Sequence, residues 1–199
     1  SLATVRMAFL PNRGQADSGV AYYSTTLAGT VCVLQTGELV HLLPAEESCP
    51  TTAGMSPTPG SERPGTMNYG LGEAETPAWS TLTESWVEGR PTPKPGGSTR
   101  AKASFFLGSD ARNWQSSLPT YRSVKMGEVW PGVSVELQTR GEAVEKLFTL
   151  DPGAEVSRIR IRVGGAESLR IDGDGSLRAA VGSSEAVFSR PKAWQERPL

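Results

Sequence analysis

The strongest constraint on this chain is alternation with a period of two. From Arg158 to Val163 charged and β-branched residues alternate without a break, so Ile159, Ile161 and Val163 share one face and Arg158, Arg160 and Arg162 the other. A helix would need its apolar residues every three to four positions. Val20 to Thr25, Thr30 to Gln35 and Glu38 to Leu43 are further β-branched or aromatic runs. Gly29 and Gly37 separate them, at turns where a positive φ costs glycine little. Together they predict an antiparallel meander. Strands are also predicted at Ala103 to Leu107, Leu118 to Met126, Val133 to Thr139, Ala143 to Leu150, Ser168 to Asp172, Ser176 to Val181 and Ala186 to Ser189. The turns are Trp130-Pro131-Gly132, Arg140-Gly141-Glu142 and Gly173-Asp174-Gly175; Asp110 is placed as the cap of a short polar turn. Eleven or twelve strands without a 3.6-residue period predict an all-β fold, an antiparallel β-sandwich or two strongly curved packed sheets.

One region resists this reading. Eight of the 15 prolines fall between Pro50 and Gly97, and proline removes a ladder donor. An irregular Pro/Gly-rich insertion is predicted there within a single domain of residues 1–199, interrupted by one strand, Leu82 to Glu88, that buries Trp86.

Several function classes are excluded or disfavoured. A net charge of −1 creates no field to draw in nucleic acid or anionic lipid. No apolar run approaches the ~18 residues of a membrane-spanning helix. His41 is the only histidine, so sites needing two are excluded. No Gly-x-Ser-x-Gly elbow or phosphate-binding Gly-x-x-x-x-Gly-Lys loop occurs. Ser1 to Leu10 lacks the basic start and apolar stretch of a signal peptide, which leaves a cytoplasmic protein and an already cleaved mature form both open. Cys32 and Cys49 either pair, closing a loop of about 17 residues worth roughly 3 kcal/mol, or are buried thiols.

A series of short motifs gives a more specific indication. Phe9-Leu10-Pro11-Asn12-Arg13-Gly14-Gln15 is followed by Phe105-Phe106-Leu107-Gly108-Ser109-Asp110, Trp114 and Leu118-Pro119-Thr120-Tyr121. Val129-Trp130-Pro131-Gly132-Val133, Leu169-Arg170-Ile171-Asp172 and Pro191-Lys192-Ala193-Trp194-Gln195-Glu196 complete it. In order and spacing these resemble an uncharacterised bacterial domain that commonly precedes SBBP-type β-propeller repeats in exported proteins. Ser109 and Trp130 depart from the Asn and Tyr usual there, and the Pro50 to Gly97 region matches poorly. The resemblance implies a β-rich fold and a secreted or cell-surface bacterial protein in mature form, a setting that favours the Cys32–Cys49 bridge. It implies a non-enzymatic role and brings no catalytic residue. Relatives continue beyond the Gln-Glu element, so a chain ending at Leu199 is expected to be a processed fragment, a separate subunit or a shortened form, its last strands missing or supplied by another chain.

The candidate sites each have a structural explanation beside the functional one. Asn12 and Gln15 around Gly14 suggest an amide network that orders a loop. Trp114 and Trp130 sit in the family-like turns, with Tyr121, Pro131 and Gly132, and are expected to plug the ends of the sandwich. Trp79 is the best candidate for an exposed, glycan-stacking tryptophan. Asp172 and Asp174 could offer oxygens to calcium, but an Asp/Gly hairpin turn accounts for them. Arg158, Arg160 and Arg162, with Arg170, could bind an anion, or form a solvated face neutralised by Glu145 or Glu136. Glu46 and Glu47 are adjacent and point apart, a poor pair for acid–base work. No cofactor or metal site is expected. The leading expectation is an assembly module that docks protein partners through sheet edges and loops, with the edge near Phe188 to Trp194 as the docking site. The alternatives are a carbohydrate-binding module on exposed tryptophans and a hydrolase whose pocket gathers His41 or two carboxylates.

Overall fold

The structure is a computed structural model that describes residues 7–26, 28–44, 79–106, 114–141 and 143–195. Cys49, Glu46, Glu47, Asp110 and residues 50–78 of the predicted insertion lie outside the described residues. There are thirteen strands and no α-helix among the described residues.

The first sheet has the order β1-β2-β3-β4-β5-β10. It comprises β1 (Leu10–Pro11), β2 (Val20–Thr26), β3 (Gly29–Leu34), β4 (Leu39–Pro44), β5 (Trp79–Trp86) and β10 (Ile161–Gly164). The second contains β6 (Lys94–Phe105), β7 (Gln115–Trp130), β8 (Val133–Arg140) and β9 (Ala143–Leu150) in chain order. The third contains β11 (Ser168–Ile171), β12 (Leu177–Val181) and β13 (Ser184–Phe188). All pairings between strands are antiparallel. The all-β sandwich expected from the alternation is therefore the fold.

The inner face of the first sheet is covered by two different sheets. Val33, Leu39 and Trp86 from the first sheet pack with Val124, Met126, Trp130, Val135 and Leu137 of the second into the larger core. Leu43 and Leu82 pack with Ala179 and Val181 of the third into a smaller one. Trp86 and Trp130 meet edge to face at 5.8 Å, and each indole N–H reaches a carbonyl, Gly37 and Val87 respectively. Trp130 thus takes the core role predicted for it.

The meander forms as expected, with Gly29 at φ 128° and Gly37 at φ 88°. At Gly29 glycine is obligatory for space as well, because a Cβ would lie 2.1 Å from the Leu42 carbonyl oxygen. The described part of the insertion, residues 79–97, holds more strand than predicted. β5 is an inner strand, and β6 begins at Lys94 and runs through Pro95, Gly96 and Gly97. β6 is an edge strand, where a missing donor is tolerated. β7 runs on past Met126 because Gly127, at φ 76°, absorbs a bulge instead of ending the strand. The alternating stretch from Arg158 is a strand only in its second half. Val156–Arg158 closes a 3-10 turn after Pro152-Gly153, and β10 starts at Ile161.

Candidate functional site

Two places combine chemistry with position: a buried ionic cluster where the three sheets meet, and the open edge of the third sheet. The cluster is dictated by strand parity. Leu39, His41 and Leu43 project inward from β4, and Leu82, Glu84 and Trp86 from β5. Leu39 and Trp86 belong to the large core, Leu43 and Leu82 to the small one. His41 and Glu84 therefore sit on the seam between the two. His41 Nε2 donates to Glu84 Oε1 at 2.7 Å. Lys146, from β9 of the second sheet, donates to both carboxylate oxygens at 2.7 Å. Phe188, from β13 of the third sheet, closes the assembly, edge-on to His41 and 4.8 Å from the Lys146 ammonium. Glu84 is only 3% exposed. Burial pushes its pKa up, but the His41 hydrogen bond and the Lys146 charge outweigh it and hold the carboxyl down to about 2. The sole histidine is therefore engaged with a buried anion beneath an aromatic ring. The sequence reading missed Glu84 and Lys146, although Glu84 shares its parity with Leu82 and Trp86.

The third sheet has a polar outer face and an apolar inner one. Outside, Arg178 binds Asp172 and Glu185, and Arg170 lies 3.2 Å from Asp172 and 3.6 Å from Glu185. Inside, β12 and β13 are covered by the first sheet, but β11 overhangs. Leu169, half exposed, and Ile171, 76% exposed, are on the inner face by register, opposite Ala179 and Leu177. The amide of Asp172 donates to Ser176, so pairing parity makes Arg170 a hydrogen-bonded partner of Arg178. Leu169 and Ile171 are then the residues whose N–H and C=O point away from β12, toward the open edge.

The predicted residues fall out as follows. Asn12 and Gln15 form the expected network. Asn12 Nδ2 lies within 3.2 Å of the Ala16, Asp17 and Val20 carbonyls, and its Oδ1 accepts from the Gly14 and Ala16 amides. Gln15 donates to the Pro11 carbonyl and accepts from the Arg13 amide. Tyr121 exchanges backbone hydrogen bonds with Phe9 and meets Tyr22 edge-on. Pro131 and Gly132 make the β7–β8 turn, where Gly132 at φ 71° donates to Glu128. Asp172-Gly173-Asp174-Gly175 is the β11–β12 turn, with Asp174 accepting from the amide and hydroxyl of Ser176.

Four expectations are corrected or met only in part. Cys32 is a free thiol buried on β3, the second of the two states expected for it, and Cys49 lies outside the described residues. Burial raises the Cys32 pKa. Trp114 does not plug the core: it is 45% exposed and meets exposed Phe106 edge-on. The arginines pair with Glu155 (Arg158) and Glu88 (Arg160), not with Glu145 or Glu136, because the 3-10 turn breaks their common face. β13 is a border strand of the third sheet, but the partly buried Phe188 on it turns its ring inward over His41 and Lys146, whereas Trp194 is 74% exposed. Trp79, at the start of β5, is exposed as predicted.

Against known proteins, a family model described as a domain of unknown function, DUF7948, matches residues 9–198. No curated protein and no solved structure matches.

Proposed function

The chain belongs to the DUF7948 family, and from that starting point we propose that it is a non-enzymatic assembly module of the bacterial cell surface or exterior. It docks a partner polypeptide by strand addition, in proteins that also carry SBBP-type propeller repeats. The observation that supports this is the β11 edge. Leu169 and Ile171 present outward backbone groups and uncovered apolar side chains on the same two residues. An incoming strand with apolar residues at alternate positions would satisfy both. Natural proteins usually blunt such an edge with inward charges or proline, and β11 has neither. The edge lies on the same small sheet as Phe188, but on the opposite border. The engagement of His41 with Glu84 and Lys146 favours a scaffolding role over hydrolysis for the one imidazole.

The glycan reading ranks second. It needs two exposed tryptophans on one concave face. Trp79 begins β5 of the first sheet, Trp114 precedes β7 of the second and Trp194 follows β13 of the third.

Placing a photo-crosslinking side chain at Leu169 of the chain in its native cell envelope tests the docking reading. An adduct to an extended polypeptide segment is expected at Leu169 and not at Arg90. Adducts at Arg90 alone, or none at either position, would overturn it.

A further inference from the structure

We infer that the β11 edge pairs with β11 of a second copy, in one register centred on Ile171. This rests on the strand-docking reading above and names its partner. Only Leu169 and Ile171 turn their backbone groups outward, so a two-fold antiparallel pairing must place these residues in the hydrogen-bonded positions. Three registers meet that condition. Centring on Arg170 sets Leu169 against Ile171 but forces Arg170 against Arg170 of the second copy, and like charges directly opposite destabilise a sheet. Centring on Leu169 sets Arg170 against Ser168. Centring on Ile171 sets Arg170 against Asp172 of the second copy, and Asp172 against Arg170, twice over by symmetry.

The same register suits the apolar face. Ile171, the most exposed apolar residue of the sheet, meets its own copy. Leu169 falls opposite Gly173, beside which no atom would come within 4 Å of an added Cβ, so there is room for the leucine. On the outer face the salt bridges already alternate in sign across Glu185, Arg178, Asp172 and Arg170. The second copy continues that alternation across the junction. Two four-residue strands bury less than the ~1,200 Å² of a stable interface, so the dimer is weak and concentration-dependent.

The test is sedimentation velocity on the purified chain across the micromolar to millimolar range. The wild type is expected to move from 21.2 kDa toward twice that mass. Ile171→Pro removes an outward N–H that β12 does not use, so the fold survives and self-association weakens by about tenfold or more. Arg170→Asp and Asp172→Arg each set like charges across the junction and are expected to remain monomeric alone. Mixed, they restore opposite charges at both positions, and the mixture associates. Circular dichroism confirms that each variant is folded. A wild type that is monomeric throughout, a dimer unmoved by Ile171→Pro, or a mixture no better than its parts would overturn the register. A monomeric wild type whose Leu169 still crosslinks to a different polypeptide would leave the docking reading standing and sink this one alone.

Discussion

Replacing Lys146 by methionine removes the cation from the seam while keeping most of the side-chain volume. Glu84 is left buried with His41 as its one remaining donor among the described residues. Its carboxyl is held from an ordinary 4.5 down to about 2. At roughly 1.4 kcal/mol per unit, this is a stabilisation of about 3 kcal/mol. The folded-state value lies below the unfolded one. The contribution is therefore fully present above pH 4.5 and is lost as the pH falls from there through about 2. Breaking a buried pair from one side costs about 3–5 kcal/mol, a large share of the roughly 5–15 kcal/mol that holds a domain together. Urea unfolding followed by the fluorescence of buried Trp86 and Trp130 measures it. Lys146→Met is expected to lose about 3 kcal/mol at pH 7. Adding Glu84→Gln to it should recover more than half, because the stranded charge is gone. Glu84→Gln alone should flatten the loss of stability between pH 4.5 and 2 relative to wild type. A Lys146→Met cost below about 1 kcal/mol, or an unchanged acid limb in Glu84→Gln, would refute the reasoning.

Three other substitutions probe the scaffold. Gly29→Ala places a Cβ 2.1 Å from the Leu42 carbonyl at a φ of 128°, and is expected to lower the thermal midpoint by more than a typical ~1 kcal/mol glycine effect. Asn12→Ala removes the acceptor for two amides and the donor to three carbonyls, and should cost about 2–3 kcal/mol in denaturant, with local loss of hydrogen-exchange protection at Gly14 and Ala16. Ser24 is fully buried and its hydroxyl has no hydrogen-bond partner among the described residues. Ser24→Ala is accordingly expected to be neutral or to stabilise by up to about 1 kcal/mol; a loss above that would reveal a partner for the hydroxyl.

What could be read in advance was whatever local periodicity and turn chemistry control. The meander β2–β4, the β8–β9 hairpin and the Asp172–Gly175 turn follow from alternation and from glycine at positive φ. The end of β6 was foreseen in Ala103 to Phe105, but its start at Lys94 was hidden because Pro95, Gly96 and Gly97 argue against a strand, and only the edge position makes them acceptable. Gly96 even fits tightly, since a Cβ would lie 2.5 Å from the Ser123 hydroxyl. The ionic cluster was half legible. Parity turns His41 and Glu84 inward, but nothing local says that β9 crosses from another sheet to bring Lys146. The β11 overhang was invisible for a related reason. Leu169 and Ile171 alternate like any core-facing pair, and their exposure depends on where the first sheet ends.

Pro44 and Trp79 face each other across the β4–β5 ladder, so the two described residues that flank positions 45–78 are held at a single paired position. Closing a loop grows costlier only slowly with its length, about 0.6 kcal/mol per doubling. Two ends held at one paired position can therefore be bridged by sequences of differing length while β4 and β5 keep their register. Evolution and the protein engineer alike are offered a graft point there, spatially anchored yet nearly free of length constraint.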